Sequence, residues 1–159
     1  ITPLVSRTGL PCKKINFPIV LVGGPEDAKE GDAVAAIDPV KIYNACGKFS
    51  LNESASIVQK SRVVISHDTG LQYIACAFNK PVLAIWGSTS PMLQVEPYYG
   101  EVTLAAMGLS KPPYQNFIVP HLTCQPCSNY GTKKCPKGHF NCMMLQDTTA
   151  IAAAVEKYL

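Results

Sequence analysis

Charge is scarce in this chain. Asp, Glu, Lys and Arg make up 16% of its 159 residues, and the net charge is only +3. That balance lacks the basic surplus of a nucleic-acid binder, although it suits an anionic small molecule or an anionic membrane surface. Long apolar runs are also missing. None approaches the ~20 residues that cross a bilayer, and the first residues do not read as a secretory signal. There is no internal repeat. The dinucleotide fingerprint G-x-G-x-x-G is absent too, since Gly23-Gly24-Pro25-Glu26-Asp27 spaces its glycines differently. What remains is 47% hydrophobic. With so little charge, that composition excludes a disordered chain and implies one packed core.

The patterning alternates strand and helix. Pro18 to Gly23 reads as a strand and Glu26 to Ile37 as a helix, with Gly31 weakening its middle by about 1 kcal/mol relative to alanine. Ile42 to Cys46 is a short strand. Ser50-Leu51-Asn52-Glu53 is a capping box opening a helix to about Ser61, with Leu51, Ala55 and Val58 on its buried stripe. Arg62 to Ser66 and Val82 to Trp86 are apolar runs of the kind found in parallel strands buried on both faces. Between them Leu71, Ile74, Ala75 and Phe78 recur with helical spacing, and Pro81 ends that helix. Glu101 to Met107 reads as a further strand. Ser110 to Met144 holds five prolines and reads as irregular, with Lys133, Lys134 and Lys137 on a solvated loop. Asp147 caps a last helix to Tyr158, with Ile151, Val155 and Tyr158 facing inward. Short turns between alternating elements imply an α/β fold: a Rossmann-like parallel sheet with helices on both faces. Residues 1–17 are poorly patterned and read as a boundary segment.

The most informative stretch is 66–91. Two polar turns, Asp68-Thr69-Gly70 and Gly87-Ser88-Thr89-Ser90-Pro91, follow two strands expected to be neighbours. In open α/β sheets ligands bind beyond that strand edge. The first amides of the helix at Thr69, Gly70 and Leu71 suit a phosphate, which Gly70 lets approach. Asp68 would repel a phosphate but can accept from sugar hydroxyls, while the Thr69 and Thr89 hydroxyls supplement the phosphate contacts. A nucleotide-sugar has both parts. The plain alternative is an Asx-turn and helix cap with no ligand. His67, next to Asp68, reads as a structural histidine.

Asp68-Thr69-Gly70-x-x-x-Ile74-Ala75-x-Ala77, Lys80-Pro81-Val82 and Trp86-Gly87-Ser88-Thr89-x-Pro91 together resemble the C-terminal half of glycosyltransferase family 9. That family includes the ADP-heptose:lipopolysaccharide heptosyltransferases. Ile19 to Asp27 is similar to the family's strand and glycine turn ahead of an acidic residue. Cys124-x-x-Cys127, Cys135-Pro136-x-Gly138-His139 and Cys142-Met143 resemble its cysteine-containing tail. The resemblance implies the donor half of a two-domain GT-B enzyme of the bacterial cell envelope. The whole enzyme would transfer heptose from ADP-heptose to a lipopolysaccharide core or similar glycan. Its acceptor domain, with the catalytic base, is not in this sequence, so no catalytic residue is assigned and the fragment alone is expected to be inactive. The donor-binding residues implied are Gly23, Gly24, Glu26, Asp68, Thr69, Gly70, Leu71, Tyr73, Gly87 and Thr89, with Glu26 for the ribose. Tyr73 stands where the family usually has His. Lys13 and Lys14 precede the first strand, but their flanks do not match well enough to carry the family's lysine role. No cofactor is required, and no nucleic acid is expected as partner. The place of action is cytoplasmic or peripheral to the inner membrane.

Cysteine, unlike charge, is abundant: seven residues. Cys12, Cys46 and Cys76 read as buried thiols. Cys124, Cys127, Cys135 and Cys142, with His139 nearby, have spacings open to a structural zinc site, to two disulfides or to reduced thiols under a loop. Two other function classes also remain open. One is a dinucleotide-binding module, and the other a metal-ordered interaction domain without catalysis.

Overall fold

The computed structural model of the chain describes residues 15–159. Lys13, Lys14, Cys12 and most of the boundary segment lie outside the described residues. Five strands run in chain order: β1 (Ile19–Leu21), β2 (Ile42–Asn44), β3 (Val64–Ser66), β4 (Val82–Ile85) and β5 (Tyr114–Phe117). Six α-helices accompany them: α1 (Ala28–Ala35), α2 (Leu51–Lys60), α3 (Gly70–Ala77), α4 (Glu101–Ala106), α5 (Asn141–Met144) and α6 (Thr148–Glu156). Every strand pairing is parallel. Among the described residues β1 pairs with β2, and β3, β4 and β5 form a second ladder in that order. The expected α/β architecture is present, with the described strands in two parallel ladders.

β4 organises the larger half. All four of its residues, and Trp86 after it, are buried. Leu83 and Ile85 point to one side, where Phe117, Ile151 and Val155 complete a cluster under α6. Val82, Ala84 and Trp86 point to the other, against Val58 of α2, Ala75 and Cys76 of α3, and Tyr99. This two-sided burial is what an uninterrupted apolar strand demands. The Trp86 indole donates to Asn116 Oδ1 at 2.9 Å, so its polar edge is not stranded. A smaller cluster of Val34 and Ile42 joins α1 to the first ladder.

The helix ends follow local chemistry. Ser50 and Glu53 form the capping box of α2, with Ser50 N–H donating to Glu53 Oε2 at 2.8 Å. Asp147 caps α6 by accepting from the amides of Thr149 and Ala150 at 3.0 and 2.9 Å. α3 ends in a Schellman motif, with Asn79 left-handed at φ 58°. The amides of Asn79 and Lys80 donate back to Cys76 and Ala75, each at 2.9 Å. Pro81 therefore follows a stop already made by Asn79.

Two expectations are corrected. Glu101 to Met107 is not a strand; Glu101–Ala106 is helical. Leu104, Ala105 and Ala106 favour a helix, and Val102 stays 85% exposed, which no buried strand would allow. The place beside β4 is filled instead by Tyr114–Phe117, inside the segment read as irregular. Its polar sequence Tyr-Gln-Asn-Phe hid it, because as the outer strand of its ladder it buries fully only Phe117.

Gly31 has a packing reason. A Cβ there would lie 2.4 Å from Asn44 Oδ1. The Asn44 side chain is itself pinned: its amide donates to Ala28 O at 2.9 Å and Asp32 Oδ1 at 2.7 Å, and it accepts from Cys46 N–H at 3.0 Å. Gly31→Ala is therefore expected to lower stability by about 1–2 kcal/mol through overpacking, despite alanine's better helix propensity. Urea denaturation checks this, and an unchanged or raised midpoint would mean that Asn44 yields.

Candidate functional site

Because the strands are parallel, their carboxyl ends share one edge, and the glycine turns gather there. The turn after β1 carries Gly23 and Gly24. Gly24 N–H donates to Asp27 Oδ2 at 3.1 Å. Gly47, with φ +71°, lets the chain after β2 close on this turn, its amide donating to Gly23 O at 3.0 Å. The turn after β3 carries His67, Asp68 and Thr69 and leads into α3.

The start of α3 has no side-chain cap, a feature it shares with α1, α4 and α5. Thr69 occupies the N-cap position but its side chain accepts no helix amide. Its hydroxyl instead sits 3.3 Å from Ser66 Oγ. The Gln72 amide turns back to Thr69 O at 3.0 Å, while those of Gly70 and Leu71 point outward from the positive end of the helix. The Asp68 carboxylate makes no hydrogen bond among the described residues. The plain alternative, an Asx-turn closing on the helix, is thus not what the chain adopts. Space over Gly70 is open: a Cβ there would meet nothing within 4 Å. Packing does not require a glycine at this position.

A cleft of about 1070 Å³ brings Gly23, Gly24, Thr69, Gly70 and Leu71 to common walls. Asp68, Tyr73, Gly87 and Thr89 stand outside it. So does Glu26; Asp27 lines the cleft in its place. Tyr73 donates its hydroxyl to Val95 O at 2.9 Å. Burial, then the nearby Asp68 carboxylate, push its phenol pKa up. Next to it Gln72 is fully buried and donates to the same carbonyl at 3.0 Å, leaving its Oε1 without a partner. The periodicity placed Leu71, Ile74 and Phe78 inward; they are only partly buried, and Gln72 and Cys76 join Ala75 in the fully buried set.

His67 also lines the cleft. Its Nδ1 lies 3.2 Å from Ile85 O, the contact of an Nδ1–H donor. Burial dominates and pushes the imidazole pKa below its ordinary value, with the Ile85 hydrogen bond opposing in part.

The second turn is held by residues that the sequence did not single out. Gln125 Nε2 donates to the carbonyls of Trp86, Gly87 and Thr89 at 3.2, 2.7 and 3.0 Å. Gln146 Nε2 donates to Trp86 O at 3.1 Å and Cys142 O at 2.9 Å. Cys127 and Ser128 amides both reach Ser88 O, at 2.9 and 3.2 Å. A Cβ at Gly87 would meet Met143 Sδ at 2.9 Å, so this glycine serves packing. The cysteine-rich segment therefore folds onto the turn, although it is distant in sequence. A lone glutamine leaves no periodic or motif signal by which it could have been found.

The structure gives the zinc reading no support. Among the described residues no group of three or more His, Cys, Asp or Glu is placed to hold a metal ion. All six described cysteines are free. The four cysteines do lie near one another, since Cys127, Cys135 and Cys124 all act on the Cys142 thiol; Cys142 is buried, Cys127 exposed, and Cys124 Sγ lies 4.0 Å from His139 Nε2. Backbone amides, Phe140 first, push the Cys135 thiol pKa down, whereas burial pushes that of Cys142 up. Cys46 and Cys76 are buried thiols with pKa values raised by burial.

The arrangement is that of a Rossmann-like α/β protein whose strand-end turns carry a helix start beside a carboxylate that has no hydrogen bond among the described residues. Comparison with known proteins gives the family. The model for glycosyltransferase family 9 (heptosyltransferase) matches residues 12–118, and the chain belongs to that family. Lipooligosaccharide heptosyltransferase 2 of Haemophilus influenzae is 32% identical over 79 residues, which are 47% of this chain and 23% of that protein. Lipopolysaccharide heptosyltransferase 2 of Escherichia coli K12 is 27% identical over 79 residues, with the same shares. The solved E. coli ADP-heptose lps heptosyltransferase II superposes with a TM-score of 0.67 at 16% identity, over 99% of this chain and 41% of that one. A family 9 glycosyl transferase from Veillonella parvula gives 0.64 at 16% identity, over 98% of this chain and 39% of that one. These two likenesses speak for the fold. The chain spans about a quarter of the length of the curated relatives it matches. Among the described residues no helix is long and apolar enough to cross a membrane.

The lowered His67 pKa predicts a pH dependence. The unfolded chain binds a proton near pH 6.5 that the folded chain resists. This contribution to stability is therefore complete above that pH and lost as pH falls from there through the lower folded pKa. His67→Asn, which keeps a donor near Ile85 O, is expected to flatten the loss between pH 7 and about 5.5. Urea midpoints at several pH values test it; an equal slope in both proteins would clear His67.

Proposed function

We propose that this chain is the donor-binding part of a glycosyltransferase that holds a nucleotide-diphospho-sugar, with ADP-heptose as the donor. The start of α3 carries the reading. Amides at the helix start, an open approach over Gly70 and a carboxylate with no hydrogen bond among the described residues meet at one strand edge. The amides of Gly70 and Leu71 receive the diphosphate, and the helix dipole favours its charge. Asp68 accepts from sugar hydroxyls. Gly23 and Gly24 leave room for the nucleotide, and we now favour Asp27 beside Glu26 for its ribose. Thr89 and Gly87 shape the opposite turn, and Tyr73 retains a hydroxyl oxygen able to accept.

Negative charge grows on the diphosphate as the glycosidic bond breaks. Donors already fixed by the helix stabilise that charge without reorganising. The acceptor, a lipopolysaccharide core or similar glycan, and the base that activates it belong to other parts of the enzyme. The transfer takes place on the cytoplasmic side, at or near the inner membrane. Family membership favours this reading over a dinucleotide module.

Calorimetric titration of the chain with ADP, UDP, GDP and NAD is the test. ADP is expected to bind selectively, and Gly70→Val to weaken it by about ten-fold or more, because the new side chain enters the phosphate approach. Asp68→Ala is expected to spare ADP but weaken ADP-heptose. NAD binding in preference to ADP, or ADP binding unaffected by Gly70→Val, would remove the donor reading.

A further inference from the structure

The segment from Cys124 to Cys142 carries chemistry that binding a nucleotide-sugar does not use. Its thiols gather in one place, with Cys127, Cys135 and Cys124 all acting on Cys142, and all of them are free. Their surroundings differ. Cys142 is buried in the first turn of α5, Cys127 is exposed, and Cys135 is partly exposed. Cys135 opens a turn that Gly138 N–H closes by donating to Cys135 O at 3.0 Å. Gly138 and Phe140 both have positive φ, at 73° and 49°. This run turns the amides of Lys137, Gly138, His139 and Phe140 onto the Cys135 sulfur, a backbone nest of the kind that holds anions. His139 is fixed in turn, its Nδ1 accepting from Asn141 N–H at 3.0 Å and its Nε2 lying 4.0 Å from Cys124 Sγ.

Charge in this region has one sign. No Asp or Glu stands between Glu101 and Asp147. Lys133, Lys134 and Lys137 flank Cys135, are exposed, and form no ion pair among the described residues. Amides and cations around a sulfur favour its thiolate, which is the nucleophile of thiol chemistry. The surplus of positive charge also draws small anions.

We propose that this cluster is a thiol–disulfide exchange site, in which Cys135 attacks a small anionic disulfide and Cys142 completes the exchange. The Cys135 thiolate bonds to one sulfur of the small disulfide. The other sulfur departs as a thiolate with the electron pair of the broken S–S bond, leaving a mixed disulfide on Cys135. Cys142 then gives its proton to solvent and attacks the Cys135 sulfur, and the second small thiolate leaves. One small disulfide is thus reduced to two thiols, while Cys135 and Cys142 are oxidised to one disulfide. Burial keeps Cys142 from starting the exchange, and its place among the other three thiols lets it finish. The site does not depend on the donor reading. It does stand close to the donor edge in the chain, since Thr132 N–H donates to Ser88 Oγ at 3.1 Å.

The test mixes the reduced 159-residue chain, freed of reductant, with oxidised glutathione near neutral pH. Remaining thiols are alkylated at intervals, and peptide masses locate each change. Glutathione is expected on Cys135 about three-fold or more faster than on Cys124 or Cys127. It is then expected to give way to a Cys135–Cys142 link. Cystamine, a cationic disulfide, is expected to react more slowly than oxidised glutathione at low salt, with the gap closing at about 0.5 M salt. Cys142→Ser is expected to stop at the mixed disulfide on Cys135. The map of the unaltered chain decides the matter even where that buried substitution prevents folding. The proposal is overturned by an adduct forming on Cys124 or Cys127 as fast as on Cys135, by a link that omits Cys135 or Cys142, by cystamine matching oxidised glutathione at low salt, or by no reaction, as thiols held by a metal would give.

Discussion

The sealing of β4 from water on both faces is the constraint from which the rest of the molecule is placed. Val82 to Trp86 present apolar surface alternately to α6 and to the α2–α3 pair. Burial of this kind contributes roughly 25 cal/mol per Å² of apolar surface, and it leaves the strand no freedom of register. With β4 held, the pairings Val64–Val82 and Val82–Tyr114 bring three carboxyl ends to one edge. The turn at Gly87 then emerges from a fully buried strand end at Trp86. Gln125 and Gln146 take up carbonyls that a buried turn would otherwise leave bare. The cysteine-rich segment is further fastened to this turn by the Cys127 and Ser128 amides, which donate to Ser88 O.

Three glycines serve different ends. Gly31 admits the Asn44 side chain to the surface of α1, and Gly87 admits Met143. Gly70 admits nothing that the chain itself contains. An uncapped helix start costs stability, since a capping side chain typically contributes about 1 kcal/mol. Thr69 forgoes that contribution by turning its hydroxyl to Ser66. Such local departures from the most stable arrangement are expected where a ligand supplies the missing partner.

The two halves of the sheet differ in how well they are supported. The second ladder is bound on both faces by buried clusters, while the first rests on Val34 and Ile42 with a few partly buried neighbours. The cleft between them combines an apolar interior with a polar rim.

By itself the sequence determined the alternation of strands and helices, because buried parallel strands and amphipathic helices leave different apolar periods. It determined the capping box at Ser50, the cap at Asp147 and the grouping of Asp68, Thr69 and Gly70 at a strand end, all of which are short-range chemistry. The family was legible for the same reason, since its motifs lie in those turns. Tertiary structure alone decided that Glu101–Ala106 coils while the polar segment Tyr114–Phe117 becomes a strand; pairing with β4 outweighs local preference. It alone brought Gln125 and Gln146 to the Gly87 turn and turned Asp27 rather than Glu26 to the cleft. Those outcomes depend on where segments distant in sequence meet, and no local pattern of residues records that.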